Sequence, residues 1–566
     1  MISIKDIGRV SKRYRHLMRY RQVIGIIIKN GFANIIDAMN IDRYIESGLQ
    51  LIPFVKVNEK VERLSANQRI RMALEELGPT FIKMGQVLSS RPDLIPPGLL
   101  NELSRLQDRV PAFEFEQVQA IIASEFGKPC DQIFTFIDPT PFASASIGQV
   151  HKAVIGNEQE VAVKIQRPGI RKTIEADLEI MLHLASIVEN NIEEVAFFKP
   201  VRIVEEFART LEKELDYSIE ASSMEQMADQ FKNDSTIRIP EVHRQYSSDR
   251  VLTMAFIRGI KADNIEAIDK AGLNRKILTR RGADFIMKQV FEYGFFHADP
   301  HPGNIFILPD NVICPIDFGM TGFIDQATGE LFADLIHSLG AADYHLTAKL
   351  LCEVTDFETQ PDMSRLEKDV NRFVAAHLSK TLKDIKTARM LNRFLELCAT
   401  HSLRIPPDFF LMMKAFIAIE GLAKKLDPDF DMITHAVPYV TAAKLEKFKP
   451  SRIARELLGI GRETYKLFQT LPADLMEILR QAKSGRFHVD IKIDGLDRLM
   501  HTQDQTSNRI SFSIIIAALI LGSAIVVNSE VPPTLFGVSV IGIAGFVAAA
   551  IMGIWLLVAI IQRGRL

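Results

Sequence analysis

The stretch Phe295–Ile307 (FFHADPHPGNIFI) gathers two histidines, an aspartate and an asparagine within eight residues. His297, Asp299 and His301 are spaced two apart. On a strand they would share one face and could ligate a metal. Asp299 and Asn304, five residues apart, fit a different chemistry: an aspartate that orients an acceptor for phosphoryl transfer and an asparagine that holds Mg2+. Pro300 and Pro302 make a regular strand unfavourable, which weakens the metal reading.

The rest of the chain favours phosphoryl transfer. A small-residue turn, Ala143, Ser144, Ala145, Ser146, Ile147 and Gly148, lies between two strand-like stretches. Sixteen residues after Gly148 comes Lys164, in Ala162-Val-Lys164. Thirteen residues after Asn304 comes Asp317, in Asp317-Phe-Gly319. This is the order and spacing of a protein-kinase-like site. Transfer of a phosphoryl group from ATP needs a cation for the α- and β-phosphates, ligands for Mg2+ and a group that positions the acceptor. Lys164 is the expected phosphate cation and Ala143–Gly148 the nucleotide loop. Asn304 and Asp317 are the expected metal ligands, and Asp299 the acceptor residue. Each piece is weak alone; in this order they are strong together. Two departures stand out. The loop has one glycine in place of a glycine-rich run, and no APE triplet follows Asp317-Phe-Gly319, which leaves little segment to hold a peptide.

The elements that must position these groups are legible in outline. Residues 67–91 have helical periodicity, with Leu74, Leu77, Phe81, Ile82 and Leu88 on or near one face. Phe142–Pro168 reads as strand, turn, strand, with Gly156-Asn157 at the turn and Val161, Val163 and Ile165 alternating along the second strand. A long helical region is expected from about Arg171 to Phe231, a short strand around Val251–Ile257, and a helix over 275–293. Helices dominate from about Glu330 to Asp427, and Arg486–Ile493 alternates like an exposed strand. Residues 9–29 read as a basic helix that either lies on an anionic membrane or turns an apolar stripe to the core.

A chain of 566 residues holds several domains, and its 47% hydrophobic and 24% charged residues suit globular protein. The net charge of −2 gives no support for nucleic-acid binding. Four scattered cysteines without a CxxC pair argue against a zinc site or a disulfide framework. The opening residues lack the apolar core and cleavage site of a secretory signal. Ile510–Val527 is uncharged and apolar for 18 residues and Leu535–Ile561 for 27. Both are long enough to cross a hydrocarbon core of roughly 30 Å. Arg509, Arg563 and Arg565 flank them, while the turn carries only Glu530, so both ends are expected in the cytoplasm. Ala518 and Gly522, and Gly545, Ala549 and Gly553, recur at four-residue spacing. They let membrane helices pack closely, within the hairpin or in a dimer, or are simply common in such helices.

The motifs resemble the UbiB family of atypical protein-kinase-like proteins. The resemblance rests on Lys83-Met-Gly-Gln86 with the following VLSSRPDLIP, the alanine-rich loop ahead of Ile147-Gly-Gln-Val-His151, Ala162-Val-Lys164, Glu214-Leu-Asp216-Tyr, His297–Asn304 and Asp317-Phe-Gly319. It implies an α+β, two-lobe kinase-like fold with a small β-rich N-lobe, a helical C-lobe, an N-terminal helical extension and a C-terminal transmembrane hairpin. Expected boundaries are a basic helical region 1–66, the Lys83–Gln86 extension 67–111, the N-lobe with inserted helices 112–258, the C-lobe 259–450, a linker 451–509 and two membrane helices 510–562. The resemblance also implies that the segment bearing Lys83, Gly85 and Gln86 covers the peptide site, that Glu214 and Asp216 meet it there, and that Lys164 pairs with Glu220. On an ideal helix Asp216 and Glu220 share a face while Glu214 points elsewhere. Either the helix is irregular there or Glu214 has another partner. The implied activity is that of an Mg2+-dependent ATPase, binding ATP and ADP, at the bacterial inner membrane with its catalytic domain in the cytoplasm. Membrane lipids, isoprenoid quinone precursors and quinone-biosynthetic enzymes are the implied partners. The alternatives are a nucleotide-binding scaffold and a small-molecule or protein kinase.

Overall fold

The structure is a computed structural model. It describes residues 18–32, 64–89, 97–103, 111–156, 158–191, 199–341, 343–357, 360–377, 387–447, 496–529, 532–535 and 538–563, with a few isolated positions between. The expected strand at 486–493 and most of the 451–509 linker lie outside the described residues. The chain divides into two compact units, Met1–Ala454 and Arg455–Leu566.

In the first unit, five strands form an antiparallel sheet: β1 (Phe136–Ile137), β2 (Ala143–Ser144), β3 (Gly148–Ile155), β4 (Gln159–Gln166) and β5 (Val251–Ala255). Their order is β1-β3-β4-β5, with β2 paired to β3. Val161, Val163 and Ile165 on β4 are fully buried, against Ala153, Ile155 and Val251 and against Val118 and Ile122 of the helix Phe115–Phe126. Each such aliphatic side chain contributes about 1.5–3 kcal/mol of burial. Because side chains alternate along a strand, this packing turns Lys164 to the opposite face. Lys164 pairs with Val150 on one side and Leu252 on the other, which fixes its register.

The long helical region expected from Arg171 to Phe231 is three helices: α1 (Ile170–Asn191), α2 (Pro200–Glu214) and α3 (Tyr217–Gln230). The break between α2 and α3 answers the geometric puzzle of the acidic motif. Glu214 ends one helix, and Asp216 is the N-cap of the next, its carboxylate accepting from Ser218 N at 2.9 Å. Asp216 is therefore not on a common helix face with Glu220, because capping geometry replaces a helical turn there.

The periodicity of 67–91 is likewise divided, into Ala66–Leu77 and Pro79–Ser89. Gly78 at φ 101° makes the break, a conformation that only glycine adopts without strain, and Pro79 opens the second helix. Ala73, Leu77 and Phe81 pack on α1 and α2 together with Val23 and Ile26 from residues 18–29, which are helical. Arg19 in that helix pairs with buried Asp177 at 2.7 Å, and Lys29 pairs with Glu76. The apolar stripe of the described part thus faces protein.

The lower lobe is mostly helical. Helix Arg275–Lys288 runs into a π turn, Gln289–Tyr293, and then strand β7 (Phe295–His297). A second small sheet joins β6 (Ile260–Lys261), β8 (Ile305–Leu308) and β9 (Val312–Pro315). β10 (Thr321–Phe323) pairs back onto β7, with Thr321 opposite His297. Helix Gln326–Gly340 starts at the N-cap Asp325, so only residues 320–325 separate Gly319 from it. Helices Tyr344–Val354, Met363–His377, Thr387–Thr400, Pro407–Leu426 and Met432–Lys447 complete the lobe.

Among the described residues, the second unit has the helices Leu496–Asn528 and Val540–Arg563. Within the first, Ile510–Asn528 is long and apolar enough to cross a membrane, and Val540–Ile554 in the second is a shorter apolar stretch. They pack through Gly542 and Gly545, where an added Cβ would collide with Val527 and Ser523. Ala549 is buried with them, whereas Gly522 and Gly553 face open space. The close-packing seam therefore includes only part of the expected small-residue set.

Candidate active site

Lys164, projecting from β4, meets the carboxylate of Glu220 on α3 at 3.0 and 2.8 Å. The same ammonium lies 3.7 Å from Asp317. Burial opposes its charge, but Glu220 and Asp317 outweigh that and hold the ammonium well above the ordinary lysine range. Lys164 brings the carboxyl of Asp317 below the usual carboxylate range, against burial and with help from Lys83. Asp317 lies deep in the lobe interface, yet 54% of its side chain is open to the cleft. Its backbone is left-handed, φ 62°, and its carboxylate accepts from Gly319 N. A non-glycine residue held there is a strained position of the kind that clusters at functional sites.

Lys83, on the helix Pro79–Ser89, pairs with Glu214 at 2.9 Å. Burial pushes the Glu214 carboxyl up, against the pull of Lys83, and the group also senses Asp317 and Lys164. Lys83, Lys164, Glu214, Glu220 and Asp317 thus form one cluster of two ammonium groups and three carboxylates. Gln86 is half-buried on the same helix, nearly one turn from Lys83. Asp216, expected beside Lys83, caps α3.

Residues Ala143–Gly148 form a hairpin turn, closed by Ala145 N donating to Gly148 O at 2.8 Å. Arg167 N donates to Ile147 O and ties the turn to the end of β4. The single glycine serves close approach. A Cβ at Gly148 would lie 2.5 Å from Ile165 O and against the Tyr217 hydroxyl.

Tyr217 is a residue that sequence reasoning missed. Its ring lies under Lys164, with Nζ 5.2 Å from the centroid. Its hydroxyl is buried without a hydrogen-bond partner. An orphaned hydroxyl costs about 1–3 kcal/mol. Tyr217→Phe is therefore expected to raise the unfolding midpoint or leave it unchanged, read by thermal unfolding of the full chain. A clear loss of stability would show that the hydroxyl has a partner in solution.

The opening question about His297, Asp299 and His301 has a geometric answer. His297 is fully buried, and its Nδ1 accepts from Asp299 N at 3.1 Å. Its backbone N–H donates to Gln289 Oε1 at 2.7 Å. Burial lowers its pKa, although Asp317 and Asp299 both pull the other way. A neutral imidazole so engaged braces the loop. His301 Nδ1 accepts from Gly303 N and caps the turn at 302–304. Among the described residues no group of three metal-ligating side chains comes together.

Asn304 Nδ2 donates to Asp299 O at 3.3 Å, which turns its amide oxygen the other way. One carboxylate and one amide oxygen suit Mg2+, which is usually held by one or two side chains together with substrate phosphates. The excess of one carboxylate in the cluster also fits an added cation. Asp299 itself pairs with Lys414 at 3.1 Å. Lys414 comes from the helix Pro407–Leu426 and was not foreseen. The available signal was that it is the only charge in the run Phe409–Ile419 (FFLMMKAFIAI).

A strand lysine bound to a helix glutamate, facing an aspartate before Phe-Gly, in a cleft between a β-rich and a helical lobe, defines a protein-kinase-like domain. Residues 105–351 match the ABC1 atypical kinase-like domain, 370–431 the UbiB helical domain, and 494–562 the ABC1/UbiB kinase-like C-terminal domain. An uncharacterised protein of the hydrogenase 1 5′ region in Clostridium pasteurianum is 31% identical over 88% of this chain and 94% of its own length. A probable protein kinase UbiB of Marinobacter nauticus is 35% identical over 70% of this chain and 73% of its own. Another, from Xanthomonas campestris, is 31% identical over 92% and 94%. The chain belongs to the UbiB family of atypical kinase-like proteins.

Proposed function

We propose that this chain is a membrane-anchored ATPase that supports isoprenoid quinone biosynthesis. The observation that carries the ATP-using part is the Lys164–Glu220–Asp317 arrangement, with the Asp317 carboxylate open to the cleft. Lys164 would bind the α- and β-phosphates and the Ala143–Gly148 turn would lie over them. Mg2+, held by Asp317 and Asn304, would neutralise the phosphate charge. Asp299 would accept a proton from the attacking water as the oxygen bridging the β- and γ-phosphates leaves with ADP. The products are then ADP and inorganic phosphate, and the proton passes on to solvent.

Two features favour water or a small molecule over a peptide as acceptor. Residues 320–325 are too few to form a peptide-holding segment, and the Lys83–Glu214 pair brings a helix against the same charge cluster. Protein phosphorylation, suggested by the names of the Marinobacter and Xanthomonas relatives, remains the competing reading.

The membrane part rests on Ile510–Asn528 and the apolar Val540–Ile554, read as a hairpin with both ends in the cytoplasm of a bacterial inner membrane. Quinone precursors are mostly apolar tail and partition into lipid. An ATP-driven domain anchored beside them could extract a precursor and present it to soluble biosynthetic enzymes.

The test is ATP hydrolysis by the purified full chain, with and without anionic vesicles and a substituted phenol as head-group analogue. Turnover stimulated by both is expected. No turnover, with Mg2+-dependent nucleotide binding intact, would turn the reading into a scaffold. Unstimulated turnover, with unchanged quinone levels in cells lacking the protein, would end the quinone assignment.

A further inference from the structure

The Asp299 loop, residues 298–304, contains no lysine or arginine. His301, two residues on, is engaged in the turn through Gly303 N, and Asn304 carries no charge. Lys164 and Lys83 are held by Glu220, Asp317 and Glu214. Charge developing on a transferred phosphoryl group next to Asp299 therefore needs a cation from elsewhere.

Lys414 meets that need. Its ammonium is 3.1 Å from Asp299, and both side chains are about one-third open, 30% and 35%. Its neighbours Phe409, Phe410, Met412 and Ala415 are buried in the lower-lobe core. The stem is thus anchored in apolar packing while the head reaches the cleft, the usual posture of a lysine that covers apolar surface. His297 ties the two segments together: its Nδ1 accepts from Asp299 N at 3.1 Å and its Nε2 lies 3.5 Å from the carbonyl oxygen of Ile316, next to Asp317. Ile316 N also donates to Asn304 O at 2.8 Å, so the Asp299 loop and the residue before Asp317 are joined directly.

We propose that Lys414 is the cation that faces the γ-phosphoryl group, neutralising Asp299 in the empty site and bridging Asp299 to a γ-oxygen when ATP is bound. This inference rests on the ATPase reading. It makes the helical region 370–431 a contributor to the site itself.

A simple structural ion pair would treat ATP and ADP alike; a γ-facing cation distinguishes them. The experiment measures Mg2+-dependent binding of ADP and of a non-hydrolysable ATP analogue to the full chain, with kcat for ATP, in wild type, Lys414→Met and Lys414→Arg. In Lys414→Met the analogue is expected to bind about tenfold more weakly while ADP changes less than about twofold. A fall in kcat of about a hundredfold should accompany this, partly restored in Lys414→Arg. Retained ADP binding shows that each variant is folded. Equal changes for the two nucleotides, or an unchanged kcat, would overturn the inference and leave the ATPase reading standing. A wild-type chain that binds neither nucleotide would remove both.

Discussion

Asp317→Asn is expected to lower ATP hydrolysis by at least about a hundredfold while the unfolding midpoint hardly moves. The cluster around Lys164 has one more carboxylate than ammonium groups, and the substitution removes that excess. Under the proposed function, the divalent cation would lose an anionic ligand at the point where phosphate charge must be balanced. Stability should survive for two reasons. The side chain is more than half open, and asparagine is among the residues that best tolerate the left-handed backbone at φ 62°. Asp317→Ala should lose as much turnover and also about 1–2 kcal/mol of stability, because its Cβ is strained there without a compensating local hydrogen bond. Because Lys164 keeps the folded carboxyl below its unfolded value, any stability it confers is present above about pH 3.9 and is lost as the pH falls through the lower folded value. The acid side of a pH–rate profile between pH 5 and 7 must then belong to another group. Steady-state hydrolysis across pH, paired with thermal unfolding, checks each part. A variant with retained turnover would refute the ligand role.

The largest effect on stability is expected at the Lys164–Glu220 pair. Glu220 is 5% exposed, and both its oxygens are engaged by one ammonium. Lys164→Met leaves that carboxylate buried near Asp317 with its counter-charge gone, a loss of about 3–5 kcal/mol. Lys164→Met combined with Glu220→Leu removes both charges and should recover most of that loss, without recovering nucleotide binding. A double-mutant cycle on unfolding midpoints measures the coupling. If the double variant is as unstable as the single one, packing and not the charge pair holds α3 against the sheet.

The β4 strand was legible because Val161, Val163 and Ile165 alternate, and the same alternation assigns Lys164 to the cleft. The loop from His297 to Asn304 was legible as chemistry, since proline placement and the spacing to Asp317 weigh against a strand-borne metal site. The acidic motif was only half legible. Helical periodicity continues across Leu215, while the break between α2 and α3 depends on Asp216 accepting from Ser218 N, a local competition that averaging over a helix hides. Tyr217 and Lys414 could not be ranked from sequence. One matters through a hydroxyl without a partner, the other through a contact with Asp299 made from residue 414. Both depend on tertiary placement, as does the choice of Ser523 and Val527 as the residues that meet Gly542 and Gly545.

The pairing of β10 with β7 also bears on pharmacology. Phe318 is 1% exposed, its ring 5.2 Å from that of His297, and the chain on either side is committed to β9 and β10 within a few residues. Compounds that act on kinases by levering out the phenylalanine of this triplet would have to tear the Phe295–His297 ladder. Selective chemistry against this protein is therefore better directed at the space bounded by Lys83, Lys164 and the open carboxylate of Asp317, the proposed nucleotide site, where a ligand would not have to unfold its own binding site.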